Sequence, residues 1–155
     1  MHLDDRATFL LSQLGYHVAD RFAEQLAPLG LQPAQFGVLA HLARVDGRSQ
    51  QELADLLGIH RNVMVGIVDA LEAQDLVRRE RHPLDRRAHA VHLTDGARAV
   101  LAAAVGVVDE LEADVMAPLD AAELETLIAM LRRLAAHTQL PAGVHPQLHR
   151  RAPRR

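Results

Sequence analysis

The chain of 155 residues has no cysteine, no tryptophan and no lysine. Without cysteine there is no disulfide, and no thiol that could sense oxidation. Aromatic side chains are limited to Phe9, Tyr16, Phe22 and Phe36. The core must therefore be built from Leu, Val and Ala, a composition that favours helices. No apolar run approaches the roughly 20 residues needed to span a bilayer. The first residues, MHLDDRATFL, carry Asp4 and Asp5 where a signal peptide would be basic. A cytoplasmic chain is expected, with no membrane association. There is no glycine-rich phosphate loop and no nucleophile–base spacing, so neither an enzyme nor a bound cofactor is expected.

The length suits one domain, and about half of the residues are hydrophobic, enough for a packed core. Charge is unevenly spread. The net charge is −3, yet residues 76–94 gather Arg78, Arg79, Arg81, Arg86 and Arg87 against Glu80 and Asp85. Residues 109–125 hold Asp109, Glu110, Glu112, Asp114, Asp120, Glu123 and Glu125 with no arginine among them. One end of the molecule attracts anions and another repels them.

Hydrophobic spacing predicts a helix over 4–27, with Phe9, Leu10, Leu14, Val18, Phe22 and Leu26 at three- and four-residue steps. PLGLQP (28–33) ends it, and Pro33 suits the first turn of a second helix, 33–44, with Phe36, Leu39, Ala40 and Ala43 inward. In RSQQELADLLG (48–58), Ser49 and Glu52 have capping-box spacing and Gly58 provides the stop. Leu53, Leu56 and Leu57 form the apolar face of that helix. A further helix over 60–74 is expected to bury Val63, Met64, Ile67, Val68 and Leu71. The period then changes. Two short strands flank a tip, PLDR, and the second alternates, with Val91 and Leu93 on one face and Ala90 and His92 on the other. Thr94 caps a long helix, 95–116; Pro118 interrupts; and 120–138 is a last amphipathic helix with Leu124, Leu127, Ile128, Leu131 and Leu134 inward. The tail, 139–155, holds three prolines and four arginines, and disorder is expected there.

Two short helices joined by a tight glycine turn suggest a helix-turn-helix, with Ala54 small where the helices cross. A basic two-stranded hairpin directly after it makes a winged helix. In that arrangement the second helix enters the major groove and the hairpin reaches the adjacent backbone or minor groove. His60, Arg61 and Asn62 open the second helix, where base contact is expected; Arg suits guanine and Asn suits adenine. Ser49 and Gln50 begin the first helix and can either donate to phosphate or cap.

QELADLLGIHRNVMVGIVDALEAQDLVRR and HPLDRRAHAVHLTDGA resemble the MarR family of bacterial winged-helix regulators. The resemblance runs from about residue 30 to 97, and the helix order agrees over nearly the whole chain. The family's wing pattern is close to D-P-x-D-R-R, then a strand ending L-T, then Gly; Asp85, Arg86, Arg87, Leu93, Thr94 and Gly96 match it. The resemblance implies a mainly α fold with a small β-hairpin. The winged helix-turn-helix lobe (30–97) would be flanked by N- and C-terminal dimerisation helices (4–27 and 95–138), in a single domain over 1–138. It implies a homodimeric regulator, most often a repressor, binding double-stranded DNA at an inverted repeat. It places Arg87 in the minor groove, with Arg86 beside it and Asp85 in support. The acidic stretch 109–125 then belongs to the dimer end, away from DNA. There are departures: His82 stands where Asp usually precedes the proline, Asp75 where Gly is frequent, and Val65 and Gly66 where Ser or Thr is common. Asp75 implies a left-handed turn held at some strain.

The first two helices border the family's effector pocket, so Tyr16, His17 and His41 are candidate contacts for a small aromatic or phenolic effector. Ten histidines also raise a metal-responsive alternative. Their spacing is against it: His89 and His92 fall on opposite strand faces, and His145 and His149 sit in a proline-broken tail. No metal ligands are assigned. A winged helix that binds proteins rather than specific DNA is the other alternative; it has no need of Arg61, Asn62 and Arg87.

Overall fold

The computed structural model describes residues 2–81 and 89–140. Among these the order is α1 (Ala7–Leu26), α2 (Pro33–Arg44), β1 (Arg48–Ser49), α3 (Gln50–Leu57), α4 (Arg61–Ala73), β2 (Val77–Arg81), β3 (His89–Leu93), α5 (Asp95–Met116) and α6 (Ala121–His137). The tip of the hairpin (82–88) and the tail from 141 lie outside the described residues, and with them the expected disorder of the tail. No helix of the described chain is long and apolar enough to cross a membrane.

Helix ends fall where local chemistry puts them. Pro33 occupies the first turn of α2, and the Gln32 N–H donates to Gln35 Oε1 at 2.8 Å. At α3 the Ser49 N–H donates to Glu52 Oε2 at 2.6 Å, and Ser49 Oγ accepts from the Glu52 N–H at 3.2 Å. Gly58 ends α3 in the left-handed region, at φ 61°, where a glycine meets no Cβ penalty. Thr94 Oγ1 caps α5 by accepting from the Ala97 N–H, and an Asp120–Glu123 box starts α6. All of these ends are within a few residues of the expected ones.

The sheet exceeds the expected hairpin. β3 is its central strand, paired antiparallel with β2 (Val77↔Leu93 to Arg81↔His89) and with the two-residue β1 (Arg48↔Val91, Ser49↔Ala90). Arg48 and Ser49 thus form a short strand that the sequence did not suggest, while Ser49 keeps its expected place as the cap of α3. Ala90, on the face opposite Val91 and Leu93, is also buried, at 1% exposure.

The core gathers Leu26, Leu31, Val38, Leu39 and Leu42 with Leu53, Leu57, Met64, Val68, Leu71, Val77, Val91 and Leu93. Phe22 packs edge-on against Phe36 at its margin, ring centroids 5.4 Å apart. Several residues expected inward are not. Ala43, Leu56 and Val63 are exposed, the last at 49%. Each lies at the edge of an apolar arc whose centre is already filled. On α6, Leu131 and Leu134 are exposed and no residue is fully buried. Leu10, Leu11 and Leu14 of α1 are exposed as well. These two helices carry apolar faces that the described residues of a single chain do not cover. Arg21 of α1 pairs with Asp114 of α5, tying the N-terminal helix to the acidic one.

Asp75 has φ 55°, as its place in the turn after α4 requires. Its carbonyl accepts from Thr94 Oγ1 at 2.7 Å, so the strained turn also anchors the start of α5. Asp75→Gly is expected to stabilise the fold by about 0.5–1 kcal/mol by relieving the left-handed strain. The check is a urea midpoint that rises with an unchanged m-value; a midpoint that stays or falls refutes it.

Candidate nucleic-acid interface

The site is built on α3 and α4. Leu53, Ala54 and Leu57 of α3, Ile59 in the turn, and Met64, Val68 and Leu71 of α4 are all at 4% exposure or less. The Ile59 N–H donates to the Ala54 carbonyl at 2.9 Å, closing the turn. With one face of α4 wholly buried, the other must face outward. His60 is the N-cap of α4: its Nδ1 accepts from the Asn62 N–H at 3.2 Å, leaving Nε2 as the ring donor. Arg61 and Asn62 follow, both exposed. Capping therefore occupies half of the His60 ring, whereas Arg61 and Asn62 project into solvent.

Ser49 is occupied as a cap, although its hydroxyl hydrogen remains to donate. Gln50 is half-buried; its Nε2 is buried without a hydrogen-bond partner, as is Nε of the neighbouring Arg48. The structure thus brings Ser49 and Gln50 to the start of α3, and His60, Arg61 and Asn62 to the start of α4. Asp85, Arg86 and Arg87 lie outside the described residues.

The basic strand divides its arginines by face. Arg79 shares a face with Val77 and turns to α4, where it pairs with both Asp69 and Glu72; its N–H also donates to Glu72 Oε1 at 3.2 Å. Its side chain is only 18% exposed. Arg79 therefore bolts β2 to α4 and neutralises two carboxylates there. Arg78 points the other way: its Nε donates to Glu80 Oε1 at 2.7 Å. That bond, with the charge behind it, raises Arg78 and holds the Glu80 carboxyl below the usual carboxylate range. On the same face Asp46, in the α2–β1 loop, accepts from the Leu93 N–H at 3.0 Å and lies 3.2 Å from His92 Nδ1. Gly47 (φ 75°) lies so close to this ring that an added Cβ would come within 2.8 Å of His92 Cε1. This Asp46–Gly47–His92 junction, which fixes β1 to the root of the wing, went unread in the sequence. Its partners are some 46 residues apart, and only the positive-φ glycine hinted at it.

Tyr16, at 67% exposure, and His17 are exposed on α1, while His41 is half-buried on α2. A cavity of about 290 Å³ lies between α1, α5 and α6, with Val18, Leu111, Val115 and Leu127 among its walls. None of the three candidate effector contacts lines it. Among the described residues no three His, Asp or Glu side chains converge as a metal site.

A helix-turn-helix whose second helix exposes Arg and Asn, backed by a three-stranded sheet with a basic outer strand, defines a winged-helix DNA-binding protein. The MarR family model matches residues 29–88. The putative transcriptional regulatory protein for the hcr operon of Thauera aromatica is 31% identical over 144 residues, covering 87% of each chain. Among solved structures, the transcriptional repressor CouR bound to a 23-mer DNA duplex is 38% identical, with a TM-score of 0.76, over 86% of this chain and 94% of that one. CouR from Rhodococcus jostii RHA1 bound to p-coumaroyl-CoA is 27% identical, with a TM-score of 0.75, over 94% of this chain and 99% of that one. The chain belongs to the MarR family. It is a transcriptional regulator and not an enzyme, and MarR proteins are dimers.

Two outcomes test the wing root. Arg79→Met should cost about 1–2 kcal/mol of stability: charged hydrogen bonds are lost, but the carboxylates are more than a third exposed and water screens them. Non-additivity with Asp69→Asn in a double-mutant cycle is the check; additive effects would show that the two groups do not interact. In Arg78→Ala, the Glu80 carboxyl should titrate at higher pH by NMR. Because its folded value lies below the unfolded one, the pair adds stability at neutral pH. That stability is lost as pH falls through the lowered value.

Proposed function

We propose that this protein is a cytoplasmic, effector-responsive repressor that binds an inverted-repeat operator as a homodimer. The observation that carries the reading is the start of α4. Arg61 and Asn62 are exposed at the start of a helix that Met64, Val68 and Leu71, at 0% exposure, hold against the core, and Asn62 lies on its outward side. A helix held that rigidly by one face offers the other for recognition. Residues 1–138 act as one domain, with the DNA-reading lobe over 30–97 and dimerisation helices over 4–27 and 95–138. The uncovered leucines of α1 and α6 support that division, since a second copy would bury them. Two-fold symmetry then places the half-sites about one helical turn apart.

In this reading Arg61 and Asn62 contact base edges, and His60 donates from Nε2. Ser49 and Gln50 meet phosphate at the start of α3, where the Ser49 hydroxyl hydrogen is free to donate. Arg86 and Arg87 serve the wing, with Asp85 in support. Arg79, paired within the protein, does not contact DNA. The effector is a phenolic acyl thioester of coenzyme A, the class named for the CouR structures. Tyr16, His17 and His41 are proposed contacts for its phenolic part. The effector acts by preferring a spacing of the two recognition helices that does not fit the operator.

The test is binding to duplex DNA from the protein's own upstream region across a salt series, with unrelated duplex as competitor. Preference for the upstream duplex should collapse in Arg87→Ala, and each lost phosphate contact should flatten the salt dependence by roughly 0.9 in slope. p-Coumaroyl-CoA should release the DNA, and coenzyme A alone should not. Equal binding to both duplexes, indifferent to Arg87, would sink the reading for this DNA.

A further inference from the structure

Glycine inside a helix destabilises it relative to alanine, so a helical glycine calls for a reason. Gly66 sits in the middle of α4 and is exposed. An added Cβ there would meet nothing within 4 Å, and the backbone is not left-handed. Nothing among the described residues therefore requires it. Gly15 of α1 and Gly106 of α5 also stand in open space, but on helices whose neighbours await a second copy; Gly66 is the one on the helix-turn-helix.

Its position on the helix is informative. At 100° per residue, Gly66 points directly away from Met64, Val68 and Leu71. It lies one turn beyond Asn62 on the same outward line. On either side of that line stand Val63, 49% exposed, and Val65, 37% exposed. Both are β-branched, and so stiff at χ1. The outward face of α4 is thus a shallow notch, with bare backbone as its floor and a valine on each rim. Farther along, Asp69 would put a negative charge towards the same partner, and Arg79 neutralises it.

We infer that this notch reads the C5-methyl group of a thymine in the major groove, with Gly66 allowing the close approach and Val63, the nearer of the two valines around the helix, supplying the apolar contact. The chemistry matches on three counts. The thymine methyl is the one apolar group that an unmodified base pair presents in the major groove. The notch has no hydrogen-bonding side chain of its own. Asn62, one turn earlier, suits adenine, so α4 would read an A·T-rich step. The inference rests on the DNA-binding reading above and specifies which residues discriminate among sequences.

The experiment uses full-length protein and a duplex selected by the wild type from a random pool. Gly66→Ala should raise the thermal midpoint by about 2–4 °C and weaken binding to the selected duplex by about fivefold or more. Binding to unrelated duplex and the salt slope should not change. These opposite signs separate a recognition role from a structural one. Replacing thymines one at a time with deoxyuridine removes only the methyl group. At one position per half-site this should cost about fourfold, the value of one buried carbon, and the loss should shrink in Gly66→Ala. Gly66→Ala binding the selected duplex as tightly as wild type overturns the inference while leaving the regulator intact. So does indifference to every thymine-to-deoxyuridine change. If the wild type selects no sequence, the DNA-binding reading fails, and this inference with it.

Discussion

The complete burial of one face of α4 is the constraint on which the rest of the molecule depends. Met64, Val68 and Leu71 are at 0% exposure against Leu53 and Leu57 of α3. Side chains of that size, fully removed from water, stabilise by about 1.5–3 kcal/mol each, so the helix has little freedom to roll. Its outward residues are consequences of that packing. The left-handed Gly58 sets the angle between the two helices, and Ala54 allows them to meet. A recognition surface needs this rigidity, because rolling α4 would swing the Asn62–Gly66 line away from the partner it faces.

Electrostatics then sort the molecule. A chain of net charge −3 can engage a polyanion only if its acids are elsewhere or occupied. The fold does both. The acidic stretch 109–125 is placed on α5 and α6, at the other end from the helix-turn-helix. The two acids that do fall on α4, Asp69 and Glu72, are held by Arg79. Arg78 is taken up by Glu80 on the opposite face of the strand. Much of the basic character visible in the sequence near the wing is thus internal bookkeeping. The cations left for the proposed recognition are a smaller set, Arg61 on α4 with Arg86 and Arg87 on the wing, beside the amide of Asn62.

The wing root shows how distant parts of the chain meet to hold that set. Asp46 reaches the backbone of Leu93 and the ring of His92, Gly47 passes close beneath that ring, and β1 adds a third strand. Asp75 carries a positive φ so that its carbonyl can receive Thr94. Both junctions join the wing to the helices around it, and both use backbone conformations that few residues adopt.

Local chemistry made much of this legible from the residues alone. Helix boundaries, the capping box at Ser49, the Thr94 cap, the glycine stop at Gly58, the paired strands and the turn at Asp75 each depend on neighbours within a few positions. The family wing pattern added the regulator. What depends on neighbours far along the chain was not legible. The strand at Arg48–Ser49 exists because β3 is there to pair with it. Arg79 faces two acids only once β2 lies along α4. The exposure of Val63, Leu131 and Leu134 was misread for the same reason: a periodic pattern reports an apolar arc, but only packing decides which part of the arc is covered. Sequence determined the elements and their chemistry through short-range hydrogen bonding and backbone preference. Tertiary structure decided which charges are occupied, which faces stay open and how the wing is held, because those depend on contacts between residues that the chain itself keeps apart.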